Sequence, residues 1–257
     1  MLSVISPAKT LDFCDQELTS KATQPEFLDD SNELVDTLSG MTRARLKKLM
    51  SISDKLADLN HERYQEWSTP FNRGNSKQAL LAFKGDVYTG FDCEDWTSRD
   101  FDFAQKHLRI LSGLHGVLRP LDLIQAYRLE MGTDLKTARG KNLYAFWGTK
   151  VTMALGDALK EAKAKALVNL ASNEYFSVIK PELLDQPVVT PVFKDWKNGQ
   201  FKILSFFAKK ARGSMANFIV RERVKAPEGL KDFDVDGYSF AGEGKRDGEL
   251  LFHRKAG

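Results

Sequence analysis

Val188-Val-Thr-Pro-Val-Phe-Lys-Asp-Trp-Lys-Asn-Gly-Gln-Phe-Lys-Ile-Leu-Ser-Phe-Phe207 reads as two strands, over residues 188–193 and 201–207, parted by the turn signal Lys197-Asn-Gly-Gln. β-branched and aromatic residues fill both runs, and a helical pattern follows over about 208–224. Working outward, residues 2–6 predict a short buried strand closed by Pro7, residues 78–83 a strand leading into Lys84-Gly85-Asp86, and residues 166–170 a third. Helices are expected at about 31–39, 43–59, 99–111 and 143–165, with short terminal strands at 237–240 and 249–253. These elements alternate without a regular strand-helix-strand rhythm. The expected fold is therefore α+β: a single compact mixed-sheet domain spanning 1–257, with peripheral helices and an inserted helix-hairpin-helix at about 30–59.

The hairpin lies in Asp29-Asp-Ser-Asn-Glu-Leu-Val-Asp-Thr-Leu-Ser-Gly-Met-Thr-Arg-Ala-Arg-Leu-Lys-Lys-Leu-Met50. Asp30 or Ser31 suits an N-cap with Glu33 reaching back, Gly40 falls where a left-handed residue ends a helix, and Thr42 caps the next one. Leu46, Leu49, Ile52, Leu56 and Leu59 recur at three and four, so one face turns inward. The other face opens with Arg43, Arg45, Lys47 and Lys48, cations that the helix dipole disfavours in the first turns. A helix start with these cations beside a glycine suits a phosphate; an ordinary αα-hairpin with a solvated basic face accounts for the same residues.

A chain of 257 residues that is 42% hydrophobic buries a substantial core, and it contains no apolar run long enough to cross a bilayer. The amino terminus lacks the basic and apolar regions of a secretory leader. Cys14 and Cys93 offer neither a disulfide framework nor zinc spacing, which suits a reducing cytoplasm. A net charge of only +3 means that any nucleic-acid contact must come from local clusters. A second such cluster is Lys209, Lys210 and Arg212, with Arg221 and Arg223 beyond, at the junction of a strand and a helix.

Arg119, Asp122, Tyr127, Arg128 and Glu130 stand among apolar residues, either as a structural ion-pair network or, for Arg128 and Glu130, as part of a pocket. Lys9, Lys84, Asp86 and the segment Asn169-Leu-Ala-Ser-Asn-Glu-Tyr175 likewise put polar groups at strand ends and turns. His61-Glu62-Arg-Tyr-Gln65 has glutamine where a zinc protease needs its second histidine, and the four histidines lack metal spacing, so no metal is expected. No phosphate-loop, nucleophile-elbow or dinucleotide fingerprint is present, and no cofactor is expected.

Ile5-Ser-Pro-Ala-Lys-Thr-Leu, Leu81-Ala-Phe-Lys-Gly-Asp-Val-Tyr-Thr-Gly, Leu111-Ser-Gly-Leu-His-Gly-Val-Leu-Arg-Pro-Leu-Asp, Tyr127-Arg-Leu-Glu-Met-Gly, Asn169-Leu-Ala-Ser-Asn-Glu-Tyr-Phe and Ala208-Lys-Lys-Ala-Arg-Gly together resemble the bacterial YaaA family of peroxide-stress proteins. The resemblance implies a cytoplasmic protein of the hydrogen-peroxide response that limits DNA and protein damage and affects intracellular iron. It also implies DNA binding through a helix-hairpin-helix and a positively charged cleft on an unusual α/β architecture. The hairpin maps onto Ser39, Gly40, Met41 and Thr42, with Arg43, Arg45, Lys47 and Lys48 beside it; Thr42 occupies the place of the usual second glycine.

The leading expectation is DNA binding largely without sequence specificity, with phosphates met by the hairpin and by both cation clusters. The alternative is an enzyme acting on a phosphorylated or nucleotide-like small molecule, using Lys9, Lys84, Asp86, Arg128, Glu130 and Lys209 in one cleft; direct iron chelation is a third. A concave pocket gathering those six favours the enzyme, and a broad basic groove leading to the hairpin favours DNA. The sequence sets no oligomeric state.

Overall fold

The computed structural model describes residues 1–14, 18–91 and 93–255. Its main sheet is built from β1 (Leu2–Ile5), β2 (Leu108–Ser112), β3 (Gly116–Leu118), β4 (Leu167–Leu170), β5 (Val188–Lys197), β6 (Gln200–Lys202), β7 (Ser239–Glu243) and β8 (Glu249–Arg254). In space the order is β7-β8-β5-β4-β1-β2-β3, with β6 folded back on β5. β8, β5, β4, β1 and β2 run parallel, while β3, β6 and β7 are antiparallel to their neighbours. The sheet is mixed, as expected, with a parallel centre.

The sequence explains the centre. Every residue of β1, Leu-Ser-Val-Ile, is buried, as is every residue of β2 and β4. Strands covered on both faces read as continuous apolar runs. The helices include α1 (Leu28–Ser39), α2 (Arg43–Met50), α3 (Asp54–Gln65), α4 (Ser98–His107), α5 (Lys150–Glu161) and α6 (Ser205–Arg221), of which α4 and α6 pack directly on the central strands. One contiguous cluster of buried side chains joins β1, α1, α4, α5 and α6.

Several boundaries differ from the sequence expectation. The helix expected over 43–59 is two, because Ser51 turns left-handed (φ 50°) and Ser53 caps α3 by accepting the Leu56 N–H. Leu46 and Ile52 stay buried on either side of the break, so the apolar rhythm continues through it; Leu59, expected inward, is exposed. α1 starts at Leu28, which puts Asp30 and Ser31 inside the helix and not at its cap. Gly40 is right-handed (φ −73°), not left-handed. Residues 108–111 leave the expected helix and form β2, and the expected 143–165 helix breaks at Gly148, whose φ is +55°. Residues 79–82 form a helical turn between the short strands Lys77–Gln78 and Phe83–Lys84. The run 201–207 stops being a strand at Lys202, and Phe206 and Phe207 belong to α6.

Candidate functional site

The carboxyl ends of β1 and β4 open side by side, the position where parallel α/β sheets leave a crevice. Two serines fix the opening: Ser6, just past β1, accepts the Ser172 N–H at 2.9 Å, and its own carbonyl accepts the Tyr88 hydroxyl at 3.2 Å. From these ends the chain builds a cleft of about 330 Å³, walled by Lys9, Lys84, Asp86, Glu130, Glu174, Tyr175, Lys209 and Arg212. The Glu174 carboxylate accepts the Gly132 N–H at 3.0 Å and so holds the far loop against the β4 end.

One side of the cleft is a chain of charges. Lys9 Nζ lies 2.6 Å from Glu130, whose other oxygen is 3.0 Å from Arg128. Opposite, Lys209 on α6 lies 3.5 Å from Asp86. Lys84 binds Asp12 at 2.9 Å across the ribbon formed by Thr10–Leu11 and Phe83–Lys84. That bond raises the Lys84 pKa; the same bond, with the Cys14 N–H, holds the Asp12 carboxyl far below the usual range. Arg212 is different. It is half-buried and has no acceptor among the described residues, and its desolvation lowers its pKa. Burial also raises the Tyr175 pKa, which keeps that phenol protonated beside the charges.

Gly213 makes this assembly possible. A Cβ there would stand 1.7 Å from the Val87 carbonyl oxygen and 3.2 Å from the Gly90 Cα, so α6 lies directly on the Val87–Gly90 turn. Lys209 and Arg212, one turn apart on the helix, are thereby carried to Asp86.

The hairpin is arranged otherwise. The Gly40 N–H is directed to the Asp36 carbonyl at 3.4 Å and the Met41 N–H to the Leu38 carbonyl at 3.0 Å, while Ser39 Oγ donates to Asp36 at 3.1 Å. Thr42 caps α2 by accepting the Arg45 N–H. Arg43 pairs with Asp58 at 3.1 Å and Lys47 with Asp54 at 2.8 Å, both on α3. Arg45 and Lys48 are exposed and have no ion pair among the described residues. The hairpin meets the cleft wall through α3, whose Tyr64 hydroxyl donates to the Arg128 carbonyl at 2.5 Å.

The structure brings together Lys9, Lys84, Asp86, Arg128, Glu130, Lys209 and Arg212, and separates the remaining cations of the second cluster. Lys210 binds Asp236 at 3.0 Å, and Arg221 and Arg223, at the far end of α6, lie 3.8 and 2.7 Å from Asp100. Arg119 and Asp122 form a structural pair at 2.9 Å. Ser6 and Thr10 were not singled out by the sequence reading, because nothing local marks a strand-end hydroxyl as facing a cavity. A recess of about 470 Å³ beneath the turn at residues 244–248 is larger, but only loose surface pairs cross it, such as Lys231 with Glu243 at 3.8 Å, and it lies at the amino-terminal ends of the parallel strands β5 and β8, not at their carboxyl ends. Among the described residues no His, Cys, Asp and Glu group is placed to hold a metal ion, and no helix is long and apolar enough to cross a membrane.

A mixed sheet with a parallel centre, helices around it and a charged cleft at its strand ends defines a mixed α/β protein with a polar cleft. The family described as peroxide stress protein YaaA matches residues 1–243, and the chain belongs to it. It is 52% identical to a UPF0246 protein of Burkholderia lata over the full length of both chains. It is 53% identical to a UPF0246 protein of Teredinibacter turnerae, over 99% of this chain and all of that one. A role in the peroxide-stress response follows from that membership.

Proposed function

We propose that within the peroxide-stress response the cleft binds a phosphorylated, nucleotide-like small molecule and acts on it. Arg212 carries this reading: a half-buried guanidinium without an acceptor among the described residues, set among Lys9, Lys84 and Lys209 in a concave space of about 330 Å³. A planar guanidinium with free donors is matched by phosphate oxygens, which it can bind in bidentate fashion. Asp86 and Glu130 stand alongside as proton acceptors for a bound hydroxyl or amine. Isothermal titration with ADP, AMP and inorganic phosphate tests it. Wild-type protein should bind at least the nucleotides, and Arg212→Ala should weaken them about tenfold or more, the loss of a charged hydrogen bond being worth roughly 1.5–3 kcal/mol. Wild-type protein that takes up none of the three at millimolar concentration refutes the reading.

The hairpin favours a second reading, DNA binding largely without sequence specificity, through which the protein would also limit iron-dependent damage. Its support is the pair of exposed cations Arg45 and Lys48, without an ion pair among the described residues, on a hairpin that adjoins the cleft wall at Arg128. The backbone N–H groups of Gly40 and Met41 are already directed inward, so the side chains would supply the phosphate contacts. Arg45→Glu with Lys48→Glu should then reduce the salt slope of duplex binding by about two. A wild-type slope near zero removes this reading.

A further inference from the structure

Parallel strands are ordinarily covered on both faces. The β5–β8 pair is parallel and is not. Along β5 the burial alternates: Phe193 and Asp195 are buried, whereas Val192 and Lys194 are only half-buried and Trp196 is 46% exposed. The buried side packs beneath α6 and the residues after it, with Phe193 5.9 Å from Phe233 and 5.3 Å from Tyr238. The other side carries a run of rings. Trp196 faces Phe201 across the β5–β6 hairpin with centroids 4.9 Å apart, and His253 of β8 stacks on Phe201 at 3.8 Å and 15°. Burial and the neighbouring Lys194 lower the His253 pKa, so this ring row is uncharged at neutral pH.

Charge surrounds the rings asymmetrically. Lys194 lies opposite His253 on the same face and Lys255 follows at the end of β8, neither with an ion pair among the described residues, whereas Lys202, opposite Asp195, and Lys197, two residues on from Asp195, fall on the other face. Asp195, the carboxylate of β5, points to the buried side, where Arg254 binds it at 2.6 Å and the Tyr238 hydroxyl at 2.9 Å. The carboxylate on the open face, Glu249, lies at its far end opposite Thr190 and pairs with Arg246 at 3.9 Å. The face therefore offers aromatic rings beside unpaired lysines, complementary to an anion that itself carries flat rings.

We propose that this open face of β5, β6 and β8 is a stacking platform for an unpaired polynucleotide strand, with bases on the Trp196–Phe201 row and phosphates at Lys194 and Lys255. Exposed sheet faces bearing aromatic residues bind single strands in this way, and stacking tolerates every base. A lipid surface, the rival occupant, would use the half-buried Val192 and Leu251 of the same face, and phosphatidylglycerol vesicles tell the two apart. The site is separate from the cleft, and its success or failure does not depend on the small-molecule reading.

The test is a titration of the full chain with fluorescein-labelled (dT)15 and (rU)15 at low salt, read by anisotropy and by tryptophan emission. Trp196 is the most exposed of the four tryptophans, so bound bases should quench its emission. Trp196→Ala should weaken both oligonucleotides about tenfold, and Trp196→Phe by less than about threefold. Both variants should melt within a few degrees of wild type, because the side chain is exposed, and should bind nucleotides as wild type does. Equal affinity of wild type and Trp196→Ala for (dT)15 overturns the proposal. So does emission that shifts with phosphatidylglycerol vesicles but not with either oligonucleotide.

Discussion

Gly213 and Gly40 are both glycines next to cations, yet the structure needs only one of them. A glycine inside a helix is about 1 kcal/mol less favourable than alanine, so Gly213→Ala in α6 would stabilise an isolated helix. Here a Cβ at 213 would stand 1.7 Å from the Val87 oxygen, which cannot move without shifting the Val87–Gly90 turn and Asp86 with it. We expect Gly213→Ala to lose roughly 1–3 kcal/mol in urea unfolding and to weaken ligand binding in the cleft together with Arg212. At Gly40 the backbone is right-handed and a Cβ would meet nothing nearer than 3.6 Å. Gly40→Ala should therefore leave stability within about 0.5 kcal/mol of wild type. A stable Gly213→Ala protein, or a crippled Gly40→Ala one, would reverse this assignment. The sequence marked Gly40 as special and passed over Gly213 for one physical reason. A hairpin glycine announces itself by its neighbours in the chain, whereas the contact of Gly213 is with a turn more than a hundred residues away.

Among the elements, α4 and the far end of α6 are tied through Asp100. Burial pushes its carboxyl pKa up, but the Thr97 hydroxyl and N–H, which close a capping box at the start of α4, and the Arg223 guanidinium outweigh that and hold it at about 2. A carboxyl whose pKa is lower folded than unfolded contributes stability that is complete above its unfolded value, near 4, and is lost as pH falls toward about 2. Asp100→Asn should cost about 1–2 kcal/mol at pH 7, through the weakened cap and the unpaired Arg223, and should flatten the pH dependence between 4 and 2. Thermal melts of both proteins across that window measure it; parallel curves would mean Asp100 is not the titrating group. The same scale shows what periodicity reads and what it misses. Residues 99–107 and 208–221 were legible as helix from their apolar spacing, whereas 205–207 read as the end of a strand. The strand that begins at Leu108 was not, because Leu-Arg-Ile-Leu continues a helical spacing as readily as it forms a fully buried strand. The division of 43–59 escaped for a related reason: Ser53 restarts the helix with the same face inward.

For the whole molecule, the main step beyond the sequence is convergence. Lys9, Lys84, Asp86, Arg128, Glu130 and Lys209 were each visible as polar residues at turns and strand ends. That they meet depends on β1 and β4 running parallel and adjacent, which the irregular crossovers between them conceal. The same packing puts His115 at the centre, joining the hairpin to the sheet. Its Nδ1 lies 2.9 Å from Ser31 of α1, Trp67 and Tyr127 pack around the ring, and its Nε2 is buried with no hydrogen-bond partner among the described residues. Burial lowers its pKa to about 3, so the folded protein holds it neutral while the unfolded chain protonates it near 6.5. The unfolded state then binds the extra proton below pH 6.5, and stability must fall as pH drops from about 6.5 to about 3, by at most about 1.4 kcal/mol per pH unit from this residue. His115→Gln should be less stable than wild type at pH 7, by about 1–3 kcal/mol for the altered hydrogen bond to Ser31 and the disturbed packing. It should also lose less stability on acidification, so that the gap between the two proteins narrows from pH 7 to pH 4.5. Urea midpoints at four or five pH values settle the matter: a gap that stays constant or widens would show that His115 is not held neutral by the core.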